Sequence, residues 1–272
     1  MVRSSGSPDR ADNRAGDRAG DSAGPAVRDS RDGYAGLPVG AFLDALAAGS
    51  AAPAGGSAVA LVLAQAAALC AKTARLSARQ LTAERAGPLT AEAEQVRARA
   101  ASLIDDDARA YRAVLEQTRP RAGESETPGQ SGPTGPSGHT EPSAAAGESG
   151  SAGQNRTAGE SGSAGQNRSA GESGAAGRLV AALSDAADVP LRMVELSVPV
   201  ARLAATLAAG GNPALRGDAV AAGLLAQASA RAAAELVTIN LAAMPDDPRH
   251  ARAADLLAAI AEVLAGPFGH AT

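Results

Sequence analysis

Between Ser102 and Leu115 the chain reads S-L-I-D-D-D-A-R-A-Y-R-A-V-L, an acidic triplet set inside an apolar pattern of helical period. At 100° per residue, Leu103, Ile104, Ala108, Tyr111, Val114 and Leu115 gather on one face, the stripe that a globular helix buries. Asp107 falls within that stripe, whereas Asp105 and Asp106 project away from it toward water. A carboxylate aimed into a core is costly to keep ionised unless it is paired or its pKa rises. Asp107 is therefore the first candidate for chemistry. The competing reading is a solvated surface acid, because a one-residue change of helix phase turns Asp107 partly outward and structural networks also perturb carboxylates.

The same period recurs in most of the other apolar segments and predicts an all-α fold, a compact multi-helix bundle. With two Phe, two Tyr and no Trp in 272 residues, Ala, Leu and Val must fill the core, which favours helices packed closely on one another. A net charge of −4 gives no general reason to expect nucleic acid or an anionic membrane as a partner. The single cysteine, Cys70, excludes an internal disulfide and a cysteine-based zinc site within one chain, and reads as core packing. His139, His250 and His270 are too scattered for a histidine metal centre, so no metal is expected. The start of the sequence lacks the apolar core of a secretory signal. The most apolar run, Ala58 to Ala71, is broken by Gln65 and falls short of the ~20 residues a membrane span needs. The expectation is a soluble, cytoplasmic protein.

Along the chain, residues 1–35 are nearly free of large apolar side chains and read as a disordered tail. Residues 36–268 form the expected helical domain, interrupted by a low-complexity insertion at 122–177. There the unit A-G-E-S-G-S-A-G-Q-N-R-T begins at Ala146, returns at Ala158 and degrades from Ala170. So short and polar a unit cannot stack into a repeat domain, and it reads as a disordered loop. Ordered structure is expected to start with a short helix around Phe42 and Leu46, with Pro38 in its first turn. A long helix follows, to about Arg79. Gly87 and Pro88 mark a break, with Thr90 capping the helix that carries Asp107. Asp188 to Pro190 mark another break, and Pro199 a kink. Later helices carry Leu224, Leu225, Ala228, Ala232 and Leu236, and then roughly Arg249 to Leu264.

Several polar residues stand out against this background. Gly55, Gly56 and Ser57 open the long helix, where free backbone N–H groups and the helix dipole favour an anion. The same residues also suit a plain turn with Ser57 as N-cap. Lys72 is the chain's one lysine, followed at helical spacing by Arg75 and Arg79, a basic edge or a chance surface residue. Asn212 suits a turn before Pro213, Asp218 a first helical turn, and Asn240 an interhelical hydrogen bond.

In order, P-A-G-G-S at Pro53 to Ser57, D-D-D-A-R-A-Y at Asp105 to Tyr111, V-P-L at Val189 to Leu191, G-N at Gly211 and Asn212, G-D at Gly217 and Asp218 and L-V-T-I-N-L at Leu236 to Leu241 resemble the cyclodeaminase/cyclohydrolase family. That family includes the cyclodeaminase domain of formiminotransferase-cyclodeaminase and stand-alone methenyltetrahydrofolate cyclohydrolases. The resemblance covers about Gly36 to Met244 outside the insertion. No one motif is specific; the ordered set is. Ala54 stands where the pattern has its first Gly, Gly217 where it has Ser, and Leu236 where it has Asn.

The resemblance implies a helical homodimer acting on tetrahydrofolate carrying a one-carbon unit at N5 or between N5 and N10, with no cofactor beyond that substrate. Asp107 matches the family's catalytic carboxylate and would be the general acid/base. Gly55, Gly56 and Ser57 would supply donors near the ligand, Asn212, Asp218 and Asn240 would orient the pterin, and Lys72 would receive the glutamate tail. The activity would be formiminotetrahydrofolate cyclodeaminase, a lyase, or methenyltetrahydrofolate cyclohydrolase, a hydrolase. The alternative is a non-catalytic folate-binding or helical interaction module.

Overall fold

The computed structural model describes residues 33–119 and 163–268. Among these, every regular element is helical. The helices are α1 (Val39–Ala47), α2 (Gly55–Leu76), the single turn α3 (Ala78–Leu81), α4 (Ala83–Thr118), α5 (Ser163–Gly210), α6 (Arg216–Asn240) and α7 (Pro248–Phe268). A 3-10 turn, Pro213–Leu215, precedes α6. The all-α expectation holds. Tail residues 1–32 and insertion residues 122–162 lie outside the described residues. The described residues begin at Gly33, and α5 begins at Ser163, inside the stretch assigned to the insertion.

The core is built on small side chains. On α6 the buried face is Ala219, Ala222, Gly223, Ala226, Ala230, Ala233 and Val237, set against α5 and α2. On α2 it is Ala60, Leu63, Ala67, Cys70, Ala71 and Ala74. Such faces let helix axes approach closely, so dispersion contacts between backbones and Cβ atoms replace the aromatic rings the chain lacks. Cys70 is fully buried, its thiol pushed up to about 12 by desolvation. It is packing, as expected. The run Ala58 to Ala71 is shorter than a membrane span, but the whole of α2 and residues 174–210 of α5 are each long and apolar enough to cross a bilayer by length and composition alone, as a core helix can be, and about half of each window is buried inside the bundle.

The breaks expected at Pro88 and Pro190 do not occur: α4 runs through Pro88 and α5 through Pro190, with Pro199, where a kink is expected, also inside α5. Each proline leaves the carbonyl four residues earlier without its helical donor. Tertiary packing of α5 on α4, α6 and α7 outweighs that loss. Thr90 does not cap α4: its hydroxyl donates to Ala86 O at 2.8 Å within the helix. Thr82, at φ +63°, instead makes the turn between α3 and α4, a left-handed conformation that costs a non-glycine residue roughly 1 kcal/mol.

That turn sends α4 back along α2 in the opposite direction. The pairing is visible at both ends, Ser57 against Asp107 and Arg75 against Glu94. At its other end α2 is tied to the entry of α6. Ser77 Oγ donates to Thr73 O at 2.7 Å and accepts from the Asn212 N–H at 2.8 Å, and Lys72 pairs with Asp218. α7 is clamped to α5 by Arg249, which donates to Ser184 O, Ser184 Oγ and Asp188 while held by Asp247.

A Cβ on Gly211 would lie 2.5 Å from Leu207 O and 3.0 Å from Ser77 Oγ. Gly211→Ala is therefore expected to cost about 1–3 kcal/mol, read as a lower denaturation midpoint at unchanged m-value. An unchanged midpoint would show that the α5–α6 corner yields without penalty.

Candidate functional site

Ala54, the residue that precedes α2, has no side chain able to cap it. The first N–H groups of this helix thus need acceptors from elsewhere. Asp107 of α4 supplies one. Its carboxyl lies directly over Gly56, so close that a Cβ there would fall 1.9 Å from Oδ1. Ser57 Oγ is 2.9 Å from Asp107 Oδ2 and 3.0 Å from the Ile104 carbonyl, and Ser57 is fully buried. The expectation of Ser57 as N-cap is corrected: it sits in the first turn of α2 and faces Asp107.

The helix phase places Asp107 as expected, half-buried, between buried Ile104 and Ala108. Burial pushes its pKa above the ordinary carboxylate range, and the Ser57 hydroxyl and backbone N–H pull the other way. Of the neighbouring acids, Asp105 differs from expectation. Asp105 is half-buried and accepts from the Tyr34 N–H rather than facing water. Asp106 pairs with Arg109. Tyr111, assigned to the buried stripe, is 40% exposed.

Tyr34 was placed in the tail by sequence reasoning, yet it is buried beside this site. Its hydroxyl donates to Ala52 O at 2.9 Å and accepts from Arg112, whose guanidinium lies 5.6 Å from the ring centre. It bridges α4 to the segment that leads into Gly55. Gly33, at φ +70° with Asp105 against its Cα, makes the approach. The signal was an aromatic residue in a chain almost devoid of them, next to a glycine.

The remaining predicted residues lie elsewhere within one chain. Lys72 is fifteen residues beyond Ser57 on α2, about 22 Å away at helical rise, and is engaged by Asp218 at 2.7 Å. Arg75 is likewise taken by Glu94. Asn212 belongs to the same far end: its Oδ1 caps the 3-10 turn through Ala214 N–H, and its Nδ2 reaches Leu76 O at 3.4 Å. Asn240 terminates α6, some 33 Å of helix from Asp218. Asp107, Gly56 and Ser57 thus come together, with Gly55 exposed at their rim, while Lys72, Asn212 and Asp218 form a separate cluster. The motif departures are structurally mild. Ala54 has ordinary extended backbone, and a Cβ at Gly217 would meet nothing within 4 Å.

A carboxyl half-withdrawn from water thus sits at the head of a helix in an all-helical bundle. Comparison with known proteins identifies the family. The family model described as formiminotransferase-cyclodeaminase matches residues 38–131 and 166–258. The chain belongs to that family. Among solved structures, a formiminotetrahydrofolate cyclodeaminase from Thermotoga maritima shares the fold at 20% identity and a TM-score of 0.55, over 85% of this chain and 96% of that one. No curated protein sequence matches.

Because burial raises the Asp107 pKa, the folded state keeps this proton to higher pH than the unfolded chain. Stability due to this group is full below the unfolded carboxylate pKa of about 3.9, falls as pH rises toward the native value, and stays lower above it. Asp107→Asn should therefore melt at higher temperature than wild type at neutral pH, with the difference vanishing below about pH 4. Equal or lower melting of the variant at pH 7 would mean that the carboxylate is not strained by burial.

Proposed function

We propose that this protein is a folate one-carbon enzyme acting at N5 and N10 of tetrahydrofolate, with Asp107 as its general acid/base. The observation that carries the reading is the half-buried Asp107 carboxyl seated on Gly56 and Ser57 at the head of α2. In cyclodeamination N10 attacks the formimino carbon and ammonia departs. In cyclohydrolysis water adds to the methenyl carbon and the ring opens. Each requires a proton to reach or leave a nitrogen or oxygen near neutrality, the task for which an acid of elevated pKa is suited. The Thermotoga maritima relative is a formiminotetrahydrofolate cyclodeaminase, which favours the lyase over the hydrolase. Gly55 and Asn240 remain ligand-facing candidates. Lys72, Asn212 and Asp218 take on such a role only where a second subunit brings their cluster to the site. Arg99 and Arg192 flank a hollow of about 480 Å³ whose lining also carries Asp106 and Glu195.

A homodimer fits the surface of α6. Leu224 and Ile239 are 54% and 63% exposed, and they share the side of α6 turned away from the core with Ala228, Ala232, Arg231 and Glu235, a mixed face of apolar and oppositely charged side chains. If this face joins two copies, Leu224→Asp should shift the protein from dimer to monomer in sedimentation equilibrium. A dimer unaffected by that charge would assign the interface to another face.

One observation favours the rival reading of a non-catalytic folate-binding or helical interaction module: Asp107 also serves α2 as an acceptor at its first turn, a role a purely structural acid can fill. Methenyltetrahydrofolate absorbs light, so its formation or hydrolysis separates the readings directly. Wild type should accelerate one of the two reactions, and Asp107→Asn should lower kcat roughly 10²–10⁴-fold at similar substrate binding. Gly56→Ala, whose methyl group displaces the carboxyl, should approach the same loss. Folate binding by wild type with neither reaction above the uncatalysed rate decides for the module. Full activity in Asp107→Asn removes the acid/base assignment.

A further inference from the structure

Ser57 has one hydroxyl proton and two acceptors for it. Its Oγ lies 3.0 Å from Ile104 O, a carbonyl that can only accept, and 2.9 Å from Asp107 Oδ2. Ser57 is fully buried, leaving no room for a water to intervene. With Asp107 ionised only one of these contacts is a hydrogen bond. With a proton on Oδ2 both are: Asp107 donates to Ser57 Oγ, and Ser57 donates to Ile104 O. The two acceptors are three residues apart on α4, so a rotation about the Ser57 Cβ–Oγ bond suffices to move the proton from one to the other.

We infer that Ser57 is a positioning residue that follows the protonation state of Asp107. Its proton lies on the Ile104 carbonyl while Asp107 is neutral and turns onto Asp107 Oδ2 once that proton has left. This deepens the acid/base reading of Asp107 and rests on it for its role in catalysis, though the switch itself is a property of the protein without substrate. In the forward step the Asp107 O–H bond breaks and an N–H bond forms on the departing nitrogen, while Ser57 keeps its own proton and redirects it. The neutral acid gives up its hydrogen bond to Ser57 Oγ as its proton turns to the departing nitrogen, and the carboxylate formed receives a charge-assisted hydrogen bond from Ser57 in return. The groups around Asp107 leave this exchange undisturbed. On α4, Asp106 is paired with Arg109 and Asp105 is held by the Tyr34 N–H, α2 offers Gly56 and Ser57, and burial and Ser57 are what shift its titration.

The test follows two carbonyl carbons by 13C NMR across a pH series in the substrate-free protein, the Asp107 carboxyl and the Ile104 main-chain carbonyl. The inference requires that Ile104 titrate with the same midpoint as Asp107, moving downfield on acidification as it gains a hydrogen bond. In Ser57→Ala the Ile104 signal should become independent of pH while Asp107 still titrates, now at higher pH because its anion has lost a donor. Ser57→Thr should restore both behaviours. In Asp107→Asn, whose amide donates as the neutral acid would, Ile104 should stay at its low-pH position throughout. An Ile104 carbonyl that ignores Asp107 in wild type, or that titrates equally well in Ser57→Ala, overturns the inference. Because no folate enters the measurement, its outcome is independent of whether the turnover assay succeeds.

Discussion

The contact between the Asp107 carboxyl and the head of α2 sets the geometry around it. It requires that α4 run antiparallel to α2 and that residue 56 lack a side chain. It also brings a charge-bearing group to the one place on α2 where unsatisfied backbone donors await an acceptor. The two helices meet closely because small residues, chiefly alanine on α2 and alternating with Val, Leu and Ile on α4, line their buried faces. Larger residues on either face would hold the carboxyl off the backbone, and the helix dipole would then act on it weakly.

Two opposing effects converge on that carboxyl. Withdrawal from water favours the neutral acid, whereas the Ser57 hydroxyl and N–H favour the anion, with desolvation the larger influence. One influence steadies the neutral acid and the other the anion, so neither protonation state is excluded. A carboxylate locked in an ion pair is held to one state. Asp247, held down at about 2 by Arg249, is an example of a purely structural acid in the same chain.

Asp107 was legible in the sequence because a period of 3.6 residues determines which side of a helix a residue occupies. That argument needs no knowledge of the partner. What it could not supply was the direction of the neighbours. Asp105 was read as solvated, since its acceptor role depends on Tyr34 arriving from a segment that carries almost no apolar signal of its own. The helices were likewise read as stopping at Pro88 and Pro190, because local rules count the lost hydrogen bond and omit the packing that compensates for it. For Ser57 the sequence leaves open a cap on its own helix or a donor to a ligand. Its actual acceptors, fifty and forty-seven residues away, belong to α4.

The ordered motifs of the sequence also divide in space, and physical separation explains why they were not separable in one dimension. α2 is long enough that its two ends act independently: one receives Asp107, and the other is fastened to the start of α6 by Ser77, Asn212 and the Lys72–Asp218 pair. The second cluster can be understood without any ligand, because it satisfies the C-terminal carbonyls of α2 and orients the turn into α6. Fastening that far end has a consequence at the near one. At the same end Arg75 pairs with Glu94 of α4, about 27 Å of helix from Ser57, so α2 is tied to both of its neighbours there. The spacing between Gly56 and the carboxyl is therefore maintained by residues that never approach it, and a polar motif remote from the chemistry can be essential to it through stiffness alone.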